Sequence, residues 1–258
     1  MLALTHQQKM ALYRDGFVRI PGVIPQVMVD EALKLINGSF GDNGIDPEKL
    51  PIYRSQSYCP EVTREPQITG LISDTPAWSL IESALGVGNV SKPKGAQIAV
   101  RFPTKHDPPP EPHPHLDGMY SPNNGVPEGT IQNFTMLVGV YLSEVDRPYA
   151  GNFTVWPGSH LLYEQYFREH GPESLLNGMP PVNLPEPVQM HVKPGDVVLA
   201  HYQLAHGSAI NVAPHPRYAL YFRFKHKNHD DDWKARMTDI WMDWPGMQDI
   251  VATATAAS

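Results

Sequence analysis

The sequence predicts a mainly β fold, a sandwich or barrel with helices packed outside it. From residue 95 onward, short apolar or alternating runs are separated by loops rich in Pro, Gly and Asn. Proline makes up 27 of 258 residues, about twice its usual share of ~5%, which suits shaped loops and argues against a helical bundle. The first ninety residues carry helix signals instead.

Those signals run in order. Thr5 can cap a helix from His6 to about Asp15, stopped by Gly16. A short β-like run, Phe17–Ile20, ends at Pro21-Gly22. Pro25 opens a second helix whose apolar stripe is Val27, Val29, Ala32, Leu33, Leu35 and Ile36, closed by Gly38. Residues 39–72 read as polar and irregular. Thr75-Pro76 starts a helix ending near Gly86. The β-like runs then follow: Gly95–Phe102, Phe134–Leu142, Asn152–Trp156, Val188–Val192, Asp196–Tyr202 and Arg217–Phe224. Helical inserts are expected near Leu161–His170 and Asp230–Met237, and a frayed tail over Ala252–Ser258. No linker divides the chain. The expectation is one domain over 1–258: a helical part to about 90, a β core over about 91–225 and an extension over about 226–258.

Composition narrows the function. A formal charge of −7 does not suit a general nucleic-acid binder. The single cysteine, Cys59, excludes an internal disulfide and a cysteine-based zinc site. No window approaches ~18 apolar residues, so no membrane span is expected. No apolar stretch follows a basic start, so the expectation is a soluble cytoplasmic protein with a small-molecule partner. Oligomeric state is not legible.

Histidine is the informative residue. His113-Pro114-His115-Leu116-Asp117-Gly118 places an imidazole and a carboxylate two residues apart, on one face if the segment is a strand. Nitrogen and oxygen donors together suit Fe(II), Mn(II) or Zn(II), and Fe(II) oxygenases use two His and one carboxylate. A surface loop beside Pro108–Pro110 gives the same pattern. A third ligand could be His206 or His201. If Asp196–His206 and Arg217–Phe224 pair as an antiparallel hairpin, His206 and Arg217 stand nearly opposite, with Ser208 on the same face. Along the second strand Arg217, Ala219, Tyr221 and Arg223 share a face that fits a cavity; Tyr218, Leu220, Phe222 and Phe224 share the packing face. A buried Arg217 needs an anion, and its fork suits a carboxylate. An exposed edge strand accommodates Arg217 equally well. His160, after Pro157-Gly158-Ser159, reads as a turn or cap residue.

Taken together, His115-x-Asp117, Gly151-Asn152, Pro157-Gly158-Ser159-His160, Gly195-Asp196, His206-Gly207-Ser208, Asn211 and Arg217 resemble the phytanoyl-CoA dioxygenase family, in its order and spacing. Gly16–Ile24 resembles its N-terminal signature, and the resemblance covers about residues 5–225. It implies a double-stranded β-helix, a cupin-like jelly-roll, and an oxygenase using Fe(II), 2-oxoglutarate and O2. It makes His115, Asp117 and His206 the iron ligands. It makes Arg217, with Ser208, the partner of the distal 2-oxoglutarate carboxylate. His113, Gln97 and Thr135 are further co-substrate candidates. Tyr120, Trp156, Tyr202 and Tyr221 are candidates for the substrate pocket, and Trp241 and Trp244 read as a face docking the C-terminus. Because Asp117 is a carboxylate, halogenation is not expected. Hydroxylation of a small organic metabolite, with 2-oxoglutarate going to succinate and CO2, is the default. Desaturation, cyclisation or endoperoxide formation on the same centre, a cupin-type metalloenzyme without 2-oxoglutarate, and a metal-free binding protein are the alternatives.

Overall fold

The computed structural model describes residues 2–257. α1 (His6–Asp15) opens on a capping box, in which Thr5 Oγ1 accepts from Gln8 N–H and Gln8 Oε1 accepts from Thr5 N–H. Gly16, at φ 82°, ends it and turns the chain into β1 (Phe17–Ile20). α2 (Gln26–Asn43) buries Val29, Ala32 and Ile36. Gly38 does not close this helix, which ends at Gly44. A helical glycine costs about 1 kcal/mol, less than burying even one of those aliphatic side chains returns. Val27, expected on the apolar stripe, is exposed.

Residues 39–72 are not irregular. They complete α2 and form α3 (Leu50–Ser55) and α4 (Pro66–Ser73), where Ile68, Leu71 and Ile72 are buried. α5 (Pro76–Leu85) follows, with Thr75 Oγ1 capping Ala77 N–H.

The strands are β2 (Gln97–Arg101), β3 (Met136–Tyr141), β4 (Phe153–Val155), β5 (Val188–Gln189), β6 (Val197–His201), β7 (His206–Ser208) and β8 (Arg217–Phe224). They build two antiparallel sheets, one ordered β1-β6-β3-β8-β2 and one ordered β5-β4-β7. α6 (Ser159–His170) lies between β4 and β5. β6 and β8 do not form the expected hairpin. β6 lies between β1 and β3, while β8 lies between β3 and β2. Between them the chain crosses to the small sheet, so His206 and Arg217 belong to different sheets.

The expected alternation along β8 holds. Leu220, Phe222 and Phe224 pack with α2, α4 and α5 in one apolar cluster. Ala219 and Tyr221 join Phe153 and Val155 of the small sheet in a second cluster, between the sheets. The class "mainly β" needs correction. Helix takes 37% of the chain and strand 16%, because short strands carry the scaffold while helices cover one whole face of it.

The C-terminal extension is also more ordered than its composition suggests. α7 (Ala235–Thr238) leads to α8 (Gln248–Ala257), which contains most of the stretch expected to fray; Ser258 lies outside the described residues. Trp241 and Trp244 are buried, as a docking face requires. Among the described residues no helix is long and apolar enough to cross a membrane.

Candidate functional site

The His115–Asp117 segment is a bridge and a turn, not a regular strand. His115 pairs with His206 through two backbone bonds: His115 N–H donates to His206 O (2.9 Å) and His206 N–H to His115 O (3.1 Å). The chain then turns at Gly118, φ 87°, where a Cβ would meet Gln132 O at 2.6 Å. The two devices bring the three side chains to one point. Asp117 Oδ1 lies 3.4 Å from His115 Nε2 and 3.7 Å from His206 Nε2. Their ligating atoms all lie within 4.8 Å of one another.

The electrostatics suit a cation. His206 Nδ1 sits 2.9 Å from Leu204 O, which can only accept, so Nδ1 carries the proton and Nε2 presents its lone pair. Burial, followed by the neighbouring His115, lowers the His206 pKa to about 4, so the ring is neutral. Burial alone would raise Asp117. Arg223 and the two imidazoles outweigh that and hold its carboxyl well below the usual range. Arg223 donates from Nε (2.9 Å) and pairs through Nη2 (2.8 Å) with Oδ2, leaving Oδ1 to the histidines. Two imidazole nitrogens and one carboxylate oxygen are the donor set of a non-haem Fe(II) site.

A cavity of about 420 Å³ opens beside this cluster, lined by His115, Asp117, His206, Ser208, Gln97, Arg101, Tyr120, Tyr221 and Arg223, among others. Gln97 Oε1 accepts from Arg223 Nη2 at 3.0 Å. Arg217 stands behind this wall, 1% exposed. It donates from Nε to Gly151 O (2.8 Å), from Nη1 to Ala99 O (3.1 Å) and from Nη2 to Ser208 Oγ (3.3 Å). None of the described carboxylates pairs with it. Tyr141 and Tyr221 meet over Gly139 with their hydroxyls buried. A buried guanidinium and a serine hydroxyl, with two buried phenols nearby, fit a carboxylate.

Other expected residues are not gathered here. His113 is exposed and lines no part of the cavity. Thr135 is buried against His229 and Asp243. Trp156 and Tyr202 are buried outside the cavity wall, Tyr202 edge-on to Phe134. Tyr120 lies at the mouth, 42% exposed. His201 is no ligand: Nδ1 accepts from Gln203 N–H (3.0 Å) and Nε2 lies 3.0 Å from Ile240 O. His160 is buried at the start of α6, with Nε2 2.9 Å from Tyr13 O. Arg223 and Arg101, which no sequence motif marks, also line the cavity; they share the inward face of their strands with Tyr221 and Gln97.

The family model for phytanoyl-CoA dioxygenase matches residues 12–219. The chain belongs to the phytanoyl-CoA dioxygenase family. With that family it is a 2-oxoglutarate-dependent dioxygenase whose metal is iron. Solved structures of similar fold include HygX from Streptomyces hygroscopicus with nickel and 2-oxoglutarate bound (19% identity, TM-score 0.57, 87% of this chain and 88% of that one). The non-haem α-ketoglutarate-dependent epimerase SnoN from nogalamycin biosynthesis is another (18%, TM-score 0.53, 85% and 82%). So is the carbocyclase SnoK from the same biosynthesis (18%, TM-score 0.50, 86% and 84%). No curated protein matches in sequence. At these identities the likeness to these structures establishes the fold alone.

Proposed function

We propose that this dioxygenase hydroxylates a small organic metabolite, with His115, Asp117 and His206 holding the iron and Arg217 with Ser208 anchoring the distal carboxylate of 2-oxoglutarate. The observation that carries the reading is the convergence of those three ligating atoms within 4.8 Å, near a buried guanidinium with no carboxylate partner among the described residues. Iron with 2-oxoglutarate and dioxygen supplies the oxidising chemistry, converting 2-oxoglutarate to succinate and CO2.

The chain's own residues supply position and polarity. Leu204 O fixes the tautomer of His206. Arg223 holds Oδ2 of Asp117 and so aims Oδ1. Ser208 ties the carboxylate anchor to β7, two residues beyond His206 on the same strand. Leu137, Phe153 and Leu116 make the apolar part of the wall, which suits the carbon skeleton of a substrate. HygX has been solved with hygromycin B bound, and SnoN with nogalamycin RO. That supports a modest organic substrate here.

The test is an anaerobic titration of Fe(II) and 2-oxoglutarate into the protein. A weak visible charge-transfer band is expected in wild type and none in Asp117→Ala, which also forms no succinate. No band in wild type, or wild-type turnover by Asp117→Ala, overturns the ligand assignment. Product mass then reads the outcome. A gain of one oxygen supports hydroxylation. Loss of two hydrogens, or an isomer of equal mass, replaces it with desaturation, cyclisation or epimerisation.

A further inference from the structure

Arg101 ends β2 on the inward face, directly opposite Arg217 in the β2–β8 register. The two arginines run side by side past Gly151, where a Cβ would stand 2.9 Å from Arg101 Cβ and 3.1 Å from Arg217 Cβ. Their surroundings differ. Arg217 spends its donors on Gly151 O, Ala99 O and Ser208 Oγ. Arg101 lines the cavity and reaches one acceptor, the carbonyl of Val100, at 3.5 Å. No described carboxylate pairs with it. Burial and the nearby Arg217 push its pKa down to about 10, the mark of a cation without a counter-ion.

The charges around the cavity make the imbalance plain. Asp117 is its single acidic lining residue, and Arg223 already pairs with it. The distal carboxylate of 2-oxoglutarate brings one negative charge, answered by Arg217. Arg101 is left over, and exposed Arg54 lines the same cavity with no ion-pair partner among the described residues. In a chain of net charge −7, a cavity rimmed by unpaired cations concentrates anions from solution. A neighbouring groove extends the pattern: it shares Gln97, Tyr221 and Arg223, adds Arg64, Lys92 and Lys94, and has no acidic lining residue.

We propose that the substrate carries an anionic group, a carboxylate or a phosphate, that docks on Arg101 inside the cavity with Arg54 at the mouth. This rests on the 2-oxoglutarate reading in one respect, the assignment of Arg217 to the co-substrate. Arg101 is then a specificity-determining residue. It sets which molecules enter with their carbon skeleton toward the metal, because a fork-shaped donor fixes the orientation of the anion it holds.

The test loads the protein with Ni(II) and 2-oxoglutarate, so that the co-substrate position is filled. Benzoate, phenyl phosphate and the neutral benzyl alcohol are then titrated calorimetrically. At least one anion is expected to bind, at least tenfold more weakly in Arg101→Gln, with partial recovery in Arg101→Lys and no change for benzyl alcohol. The tighter of the two anions tells carboxylate from phosphate. Equal anion affinity in wild type and Arg101→Gln, or no anion binding in wild type, overturns the proposal. So does an Arg101→Gln protein whose 2-oxoglutarate titration weakens while its anion affinity holds, because Arg101 then serves the co-substrate. If Ni(II) and 2-oxoglutarate do not load, the proposed function fails. The same anion titration on metal-free protein, comparing Arg101→Gln with Arg217→Gln, still decides the role of Arg101.

Discussion

Arg223 puts both Nε and Nη2 on one oxygen of Asp117 and has Gln97 Oε1 on its far side. The carboxylate therefore has a single free oxygen, and that oxygen faces the imidazoles. Such outer partners orient a ligand without touching the metal, and their loss typically weakens metal binding about 10–100-fold. Arg223→Met keeps most of the side-chain volume and removes both donors. Its Ni(II) affinity, read by competition titration, is expected to fall within that range while the fold persists. An unchanged affinity would show that Asp117 holds its orientation unaided. At this scale the cluster of ligating atoms was legible and its support was not. His115, Asp117 and His206 are conspicuous as residue types with ligating atoms. Arg223 is conspicuous only once β8 is known to lie 106 residues along the chain from, and in contact with, Asp117. His113 shows the converse. Its type and position look right, yet its side chain faces solvent, because the backbone there runs as an extended bridge segment past β7.

β7 is three residues long, and it holds the site together. It pairs with β4 on one side and meets the His115 bridge on the other. Gly207 lies between the two. Its φ is not in the left-handed region, so the backbone tolerates alanine, but a Cβ there would collide with the carbonyl of His113. That oxygen is main chain and cannot swing aside. Gly207→Ala must push the 113–115 segment outward and separate His115 from His206. Overpacking of this kind costs about 1–3 kcal/mol. Both a lower melting temperature and weaker Ni(II) binding are expected. A variant that loses stability but keeps full metal affinity would mean that the bridge does not set the ligand geometry. Local signals found most elements: the Thr5 cap, the Gly16 stop, β1, α5 and the alternation along β8 all lie where sequence reading puts them. The β6–β8 hairpin failed because pairing partners are set by sheet order, which periodicity does not report. α4 was missed because polar residues flank a short apolar run, Ile68 to Ile72, that only the packing of α2 and α5 turns into a buried face.

The C-terminal extension closes over two buried histidines. Trp244 stacks on His201 at 5.3 Å, Trp241 lies 5.1 Å from the same ring, and His160 is 5.8 Å from Trp241. His201 spends both nitrogens in its neutral form, since Nδ1 accepts from Gln203 N–H and Nε2–H donates to Ile240 O. Adding a proton at Nδ1 would set two N–H groups against each other. Burial, and for His201 the nearby His160, lowers the pKa of His201 to about 3; burial lowers that of His160 to about 4. In the unfolded chain both rings take a proton near the ordinary value of ~6.5. Below that pH the unfolded state binds protons that the native state refuses, so stability falls as the pH falls. Each ring contributes a slope of up to about 1.4 kcal/mol per pH unit until its native pKa is reached. The whole molecule should therefore lose stability between pH 6.5 and 5, above the range where most carboxylates titrate. His160→Gln removes one of the two rings, and its amide can still donate to Tyr13 O. Its unfolding free energy, measured in urea across that window, is expected to fall with a visibly shallower slope than wild type. Parallel slopes would mean that His160 takes its proton in the native state as readily as in the unfolded one, and that its burial under Trp241 is not what sets the acid limit of this fold.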